Sequence, residues 1–222
     1  MDQPIQPNTP ELVADRERAV AMTGETVSRE TWGRLDRFVA MVRDQQARMN
    51  LIAPSTIPTI WTRHVADSLQ LPALAPGARR WIDLGSGAGF PGLVIACALA
   101  GLEGAEVHLV DSTQKKAAFL RECAQSLGLP AVVHAMRIED FTRANKQQFD
   151  VVTARAVAPL EKLIALANPL LKRGTLGLFP KGQDVEVELT QASKSWKLDA
   201  ELVPSKTDPR GRIVVLRRAI KR

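Results

Sequence analysis

Asp83-Leu84-Gly85-Ser86-Gly87-Ala88-Gly89-Phe90-Pro91-Gly92 is the stretch that decides the fold. Trp81-Ile82-Asp83-Leu84 is short, apolar and interrupted by one acid, as a buried strand is. Phe90 to Leu102 carries no charge and reads as an apolar helix. A glycine run between a strand and a helix is the setting in which such a loop holds a ligand against bare backbone.

Outward from the loop, strands and helices alternate. Ala105 to Asp111 is a strand ending in an acid. Thr113 starts a helix with Ala117, Leu120, Ala124 and Leu127 inward, stopped by Gly128 and Pro130. Ala131 to Met136 and Phe149 to Ala154 are the third and fourth strands, Pro159 to Leu171 a helix, and Thr175 to Phe179 the fifth strand. This alternation predicts an α/β, mostly parallel sheet. Gln183 to Trp196 reads as a helix, and Leu198 to Pro204 with Arg212 to Arg217 as an antiparallel hairpin. A Rossmann-like seven-stranded sheet with that C-terminal hairpin is the class I methyltransferase order.

The first third is different. Met1 to Asn8 reads as a loose tail. Thr9-Pro10-Glu11 is a helix start, with its end near Gly24, and Ser28 caps a second helix. Trp32, Leu35, Val39, Val42 and Met49 share one face of it. A third helix is expected within Ile57 to Leu74, broken near Pro72. The expected division is an N-terminal helical extension over 1–75 and a compact Rossmann-like unit over 76–222.

Composition sets the class. The 222 residues are 45% hydrophobic and 24% charged, which excludes a disordered chain, a collagen-like fibre and a disulfide miniprotein. Lys and Arg number 30 against 24 Asp and Glu, a net charge of +6. That balance suits a polyanionic partner, and nearly as well plain solubility. Cys97 and Cys123 form no CxxC pair, and His64, His108 and His134 show no ligand spacing, so no metal is expected. The first residues lack the apolar stretch of a signal peptide, and Phe90 to Leu102 is too short to span a membrane. A soluble, cytoplasmic chain is expected.

Two cofactor classes compete for the glycine loop. Gly87, Gly89 and Gly92 fit GxGxxG, and Asp111 lies at the distance where an acid accepts ribose hydroxyls. A dinucleotide needs free N–H groups at the helix start, and Pro91 removes one. S-adenosylmethionine carries no phosphate, and its cationic end favours an acid near the loop, as Asp83 is. The balance favours S-adenosylmethionine. Arg137-Ile138-Glu139-Asp140 follows the third strand, where a backbone N–H and an acid can meet an adenine ring.

The exit of the fourth strand, Thr153-Ala154-Arg155-Ala156-Val157-Ala158-Pro159, lacks the Asn/Asp-Pro-Pro-aromatic loop of enzymes that methylate exocyclic amines. Neither cysteine is near it to serve as a pyrimidine nucleophile, and Arg155 cannot be a general base. An acceptor that needs no base, such as guanine N7, suits this site. Arg155 is then free to hold the cofactor's carboxylate, a phosphate or the target base. Asp67, three residues after His64, is expected to orient that ring, itself more a structural than a catalytic histidine. Lys181 at the sheet edge, with Arg210 and Arg212 among the basic residues of the hairpin, is expected to meet RNA phosphate. With no Tyr in the chain, Phe90 is the best-placed ring for base stacking.

These motifs resemble a known family. Asn50-Leu51, Arg63-His64-Val65-Ala66-Asp67-Ser68, the glycine loop, Asp111-Ser112, the Thr153–Ala156 segment and Pro180-Lys181-Gly182 are similar to the bacterial small-subunit rRNA guanine-N7 methyltransferases, the glucose-inhibited division protein B family. The resemblance runs from about Ser28 onward. It implies methyl transfer from S-adenosylmethionine to N7 of one guanine of 16S rRNA, by a monomer acting on the rRNA or the small ribosomal subunit. It places cofactor contacts on Gly85, Phe90, Ile138, Glu139 and Arg155, with Asp111 on the ribose. A nicotinamide oxidoreductase and a non-enzymatic RNA-binding assembly factor are the alternative readings.

Overall fold

The computed structural model describes residues 9–24 and 27–222. The tail expected over Met1 to Asn8 lies outside the described residues.

Helix α1 (Pro10–Thr23) starts on the Thr9 side chain, which accepts the Leu12 N–H, with proline in its first turn. Helix α2 (Arg29–Met49) starts on Ser28, which accepts the Thr31 N–H, and buries Trp32, Leu35, Phe38, Val39 and Val42. The helix expected within Ile57 to Leu74 does break before Pro72, but it is not regular: a 3-10 turn Pro54–Thr59, a π-helical turn Trp61–Ala66 and a short α3 (Asp67–Leu69) run up to the break, and a 3-10 turn Pro72–Leu74 follows it. Pro54, Pro58 and Pro72 lack the N–H groups that a regular helix would use there.

The sheet is built from β1 (Arg80–Leu84), β2 (Glu106–Val110), β3 (Ala131–His134), β4 (Val151–Thr153), β5 (Leu176–Lys181), β6 (Trp196–Pro204) and β7 (Arg212–Lys221). Their order is β3-β2-β1-β4-β5-β7-β6. β1 to β5 are parallel, and β7 runs antiparallel between β5 and β6. The hairpin is longer than expected, because β6 begins directly after α8 and β7 continues through Lys221.

Connecting helices are α4 (Gly92–Leu99), α5 (Gln114–Ser126), α6 (Ile138–Ala144), α7 (Leu160–Leu171) and α8 (Val185–Ser195). Successive strand residues point to opposite faces. Trp81, Leu109 and Leu178 join α2, α4 and α5 in one core, while Ile82, Leu84, Val110 and Phe179 join α7 and α8 in the other. The N-terminal helices pack into the first of these cores, through Leu35, Phe38, Val42 and Trp61. Both cysteines are buried on α4 and α5, and burial pushes the Cys97 thiol up to about 12.

Gly92 lies where α4 crosses the sheet. A Cβ there would collide with Leu109 Cδ2 and sit 2.7 Å from Asp83 Oδ2. The third glycine of the loop's GxGxxG pattern therefore serves helix–strand packing. Gly92→Ala should cost about 1–3 kcal/mol of stability, as overpacked cores do, read as a lowered urea midpoint at unchanged slope.

Candidate active site

The loop after β1 sits at the carboxyl edge of the parallel strands, where ligands of open α/β sheets bind. The Gly85 and Ser86 N–H groups donate to Val110 O at 2.8 and 3.0 Å, tying the loop to the end of β2. Gly85, Gly87 and Gly89 have φ of +73°, +56° and +98°. Each would be strained with a side chain. Above Gly87 the nearest atom to an added Cβ is Gly85 O at 3.8 Å, so open space lies over that glycine.

Asp111, just past β2, accepts the Gly87 N–H at 2.9 Å with one oxygen and the Thr113 N–H at 2.8 Å with the other. A carboxylate has about four acceptor sites, so it keeps capacity for further hydroxyls. Asp83 lies beneath the loop and does not line the cleft. It is 1% exposed, accepts the Gly92 N–H at 3.1 Å through Oδ2, and leaves Oδ1 without a partner. Burial pushes its carboxyl up to about 7. At the start of α4, Pro91 has no N–H, the Gly92 N–H serves Asp83 and the Leu93 N–H serves Gly89 O. That leaves the first turn poorly supplied with donors for a pyrophosphate.

A cavity of about 1100 Å³ opens from the glycine loop. Gly85, Ser86, Gly87, Ala88, Phe90 and Asp111 form one side. Leu51 to Asp67 supplies a second wall, Arg155 to Pro159 a third, and Ser205 to Ile213 with Lys181 a fourth. Ile138 lies close to Gly85, its Cδ1 within 3.7 Å of a Cβ built there. The Glu139 side chain is exposed and lines a separate groove between α6 and α7, with Arg143, Lys146 and Arg173.

Arg155 joins three of the walls. Its Nη1 donates to Arg63 O at 3.0 Å and pairs with Asp67 Oδ2 at 3.4 Å, and its Nη2 donates to His64 Nδ1. Its guanidinium lies 5.7 Å from the centre of the Phe90 ring. Since arginine only donates, His64 Nδ1 is unprotonated and Nε2–H faces Thr56 Oγ1 at 2.9 Å. Burial, then the charges of Arg155 and Arg63, hold the imidazole near pKa 3, so it is neutral. Arg155, rather than Asp67, orients His64. Asp67 accepts from Arg155, from Gln70 at 2.9 Å and from Thr207 Oγ1 at 2.8 Å, and so ties α3 to the β6–β7 loop.

Phe90 is 5% exposed, with Phe38 at 5.1 Å and His64 at 5.0 Å between ring centres. Its ring is engaged by protein groups, which corrects the expectation that it stacks on a base. Lys181 lines the cleft, but its ammonium reaches Ala158 O at 2.8 Å and Glu188 at 2.7 Å. Glu188 also accepts the first N–H of α7, from Leu160. Arg210 is exposed on the β6–β7 loop, paired with Asp208, and Arg212 lines the cleft while donating to Pro209 O and Gly211 O.

Sequence reasoning missed Lys116, which lines the cleft from the first turn of α5, and the Gln70–Ser205–Thr207 contacts around Asp67. It also missed Ala156, whose φ of +57° is an uncommon conformation for a residue with a side chain. The contacts around Asp67 carry no sequence pattern because they join segments 135 and 140 positions apart.

The strand order, the glycine loop after β1 and the acid after β2 define a class I methyltransferase architecture. The O-methyltransferase from Bacillus cereus, solved in complex with SAH, shares this fold at TM-score 0.55 and 14% identity, over 82% of this chain and 91% of its own. The ribosomal protein L11 methylase of Lactobacillus delbrueckii subsp. bulgaricus does so at TM-score 0.53 and 17% identity, over 70% of this chain and 78% of its own. The family model described as GidB, rRNA small subunit methyltransferase G, matches residues 32–213. A Bradyrhizobium protein (strain BTAi1 / ATCC BAA-1182) named ribosomal RNA small subunit methyltransferase G is 55% identical over 92% of this chain and 91% of its own. A protein of the same name from Nitrobacter hamburgensis is 51% identical over 100% of this chain and 85% of its own. The chain belongs to the rRNA small subunit methyltransferase G family, and that membership sets aside the oxidoreductase reading. No helix among the described residues is long and apolar enough to cross a membrane, and no His/Cys/Asp/Glu group among them is placed to hold a metal.

The raised Asp83 carboxyl makes a pH prediction. The folded state holds a proton that the unfolded chain releases above the ordinary value of 3.8. Stability from this group is therefore full below about pH 4 and falls as pH rises to about 7. Asp83→Asn removes the titration. Between pH 4 and pH 8 the parent should lose on the order of 4 kcal/mol relative to the variant. Parallel pH profiles of the two in urea unfolding would show that Asp83 titrates normally.

Proposed function

We propose that the chain transfers a methyl group from S-adenosylmethionine to N7 of one guanine in 16S rRNA. The observation that carries the acceptor atom is that every imidazole and carboxylate lining the cleft already accepts from a protein donor. His64 accepts from Arg155, Asp67 from Thr207, Asp111 from Gly87, Glu188 from Lys181, and Asp208 from the Arg210 N–H. None is poised to remove a proton. Guanine N7 presents a free lone pair at neutral pH, so alignment suffices.

The residues present fit the cofactor. The open space over Gly87 admits its body, and Asp111 retains acceptor capacity for its ribose hydroxyls. Gly85 and Ile138 flank the adenosine side, with the Glu139 backbone at the start of α6. Phe90 contributes the wall, its ring fixing Arg155. S-adenosylmethionine, when bound, supplies a methyl group on a sulfonium that needs no acid to leave. Arg155 fixes the loop of Ala156 and Val157 over Gly85, and its remaining N–H groups are free for a carboxylate or the target base.

The test is transfer from labelled S-adenosylmethionine to 16S rRNA with mass mapping of the modified base. Label on guanine N7 is expected, with single-turnover rates flat between roughly pH 6 and 9. A rate that climbs with one apparent pKa and loses that pKa in His64→Ala would reveal a base and overturn N7. Arg155→Ala should lower turnover or cofactor affinity at least tenfold. Arg155→Lys should recover little, because one ammonium cannot serve Arg63 O, Asp67 and His64 together.

Lys181, Arg210 and Arg212 are the proposed phosphate contacts. Arg212 lines the cleft and Arg210 is exposed on the same β6–β7 loop, whereas Lys181 offers the donor left over from Ala158 and Glu188. Replacing Arg210 and Arg212 with Ala should weaken RNA binding and reduce the log-affinity against log-salt slope by about 1 for each phosphate no longer neutralised, with cofactor affinity unchanged. An unaltered slope would move the footprint to another face.

A further inference from the structure

The family model begins at residue 32, so α1 stands outside it. Yet α1 places a fully buried carboxylate on the backbone of the cleft wall. Asp15, at 0% exposure, accepts the Trp61 N–H at 2.8 Å and the Thr62 N–H at 3.2 Å through one oxygen, and the Thr62 hydroxyl at 2.7 Å through the other. Those N–H groups open the π-helical turn Trp61–Ala66, and the first N–H groups of a helix have no partner within it. The next residue of α1 holds the same turn by its side chain. Arg16 lies 5.4 Å from the ring centres of both Trp32 and Trp61, and Asp36 anchors it at 2.6 and 2.8 Å. Two adjacent residues of α1 thus grip the segment, one by its main chain and one by its aromatic ring.

His64 stands two residues beyond that cap, and Asp67 directly after the turn. Both meet Arg155 from this side of the cleft. A π turn closes its hydrogen bonds one residue later than an α turn, so losing its cap frees the turn to rewind. Rewinding by one residue would rotate His64 and Asp67 away from the guanidinium.

We infer that Asp15 is a positioning residue of the methyl-transfer site: by capping Trp61–Ala66 from α1, it fixes where His64 and Asp67 hold Arg155. The inference deepens the function proposed above and rests on that reading for its consequence in turnover, but not for its geometry.

The test uses the full chain and the His64 ring as reporter, followed by NMR. In the parent the ring stays neutral down to about pH 3. In Asp15→Ala the midpoint should rise by at least one pH unit, because a rewound turn opens the buried ring to water and loosens its contact with Arg155. Asp15→Asn, which keeps the size and one acceptor oxygen, should fall between the two, and it serves as the test if the Ala variant does not fold. Single-turnover methylation, measured well below the melting temperature, should slow about tenfold in Asp15→Ala. The double variant with Arg155→Ala should be no slower than Arg155→Ala alone. An Asp15 variant that folds with His64 titrating as in the parent would overturn the inference and leave the cap a purely stabilising contact. Multiplicative rate losses in the double variant would do the same. A parent that fails to methylate 16S rRNA while His64 responds as expected would remove the proposed function and leave the positioning intact.

Discussion

A guanidinium that stays charged cannot be buried without acceptors around it. Arg155 is such a group at the centre of the cleft. It lies where the loop after β4 turns past the glycine run, and burial lowers its pKa from the usual value while Asp67 and Asp83 oppose that shift. Its acceptors come from the segment before the sheet begins: Arg63 O, His64 Nδ1 and Asp67. The mixed helical turns between Pro54 and Leu74 therefore have a reason to be irregular. They must present a carbonyl, an imidazole and a carboxylate to one planar cation.

From that knot the rest of the cleft follows. Asp67 extends the contact to Thr207 and Gln70, and Gln70 accepts the Lys206 N–H at 3.0 Å. Lys181 and Glu188 hold the far end of the Arg155 loop and the start of α7 against β5 and α8. Phe90 serves as the floor under the guanidinium rather than as a surface for a base. The site is thus a ring of mutual constraints in which most polar groups are already committed. Such a site can align a nucleophile but has little spare basicity, which suits an acceptor that carries its own lone pair.

The parallel sheet was legible because its signals are local. Each strand is a short apolar run, each helix has one apolar face, and Gly85, Gly87 and Gly89 sit where only glycine is comfortable. The antiparallel hairpin was legible because only a loop joins its strands. The region from Ile57 to Leu74 misled because its apolar spacing is helical while its prolines and its cap from Asp15 impose other turns. Asp83 was legible as an acid near the loop, but not as one turned inward under Gly92. Lys181 read as a free cation because its partner Glu188 lies on the following helix. The cap from Asp15 joins positions 46 and 47 apart, whereas Glu188 and Gly92 lie only seven and nine residues from their partners, and there it is the turn between them, not the distance, that hides the contact.

The contact between Asp67 and Thr207 joins residues 140 positions apart. A ribosome making this chain releases the Arg63–Asp67 wall long before the strand pair that braces it. Until β6 and β7 emerge, Asp67 lacks Thr207, and β5 has an open edge where β7 will lie. The glycine loop can form against β2 well before that moment. Closure of the glycine loop against β2 and completion of the cleft's fourth wall are thus separated in time during synthesis. The second arrives only once the final hairpin has been made.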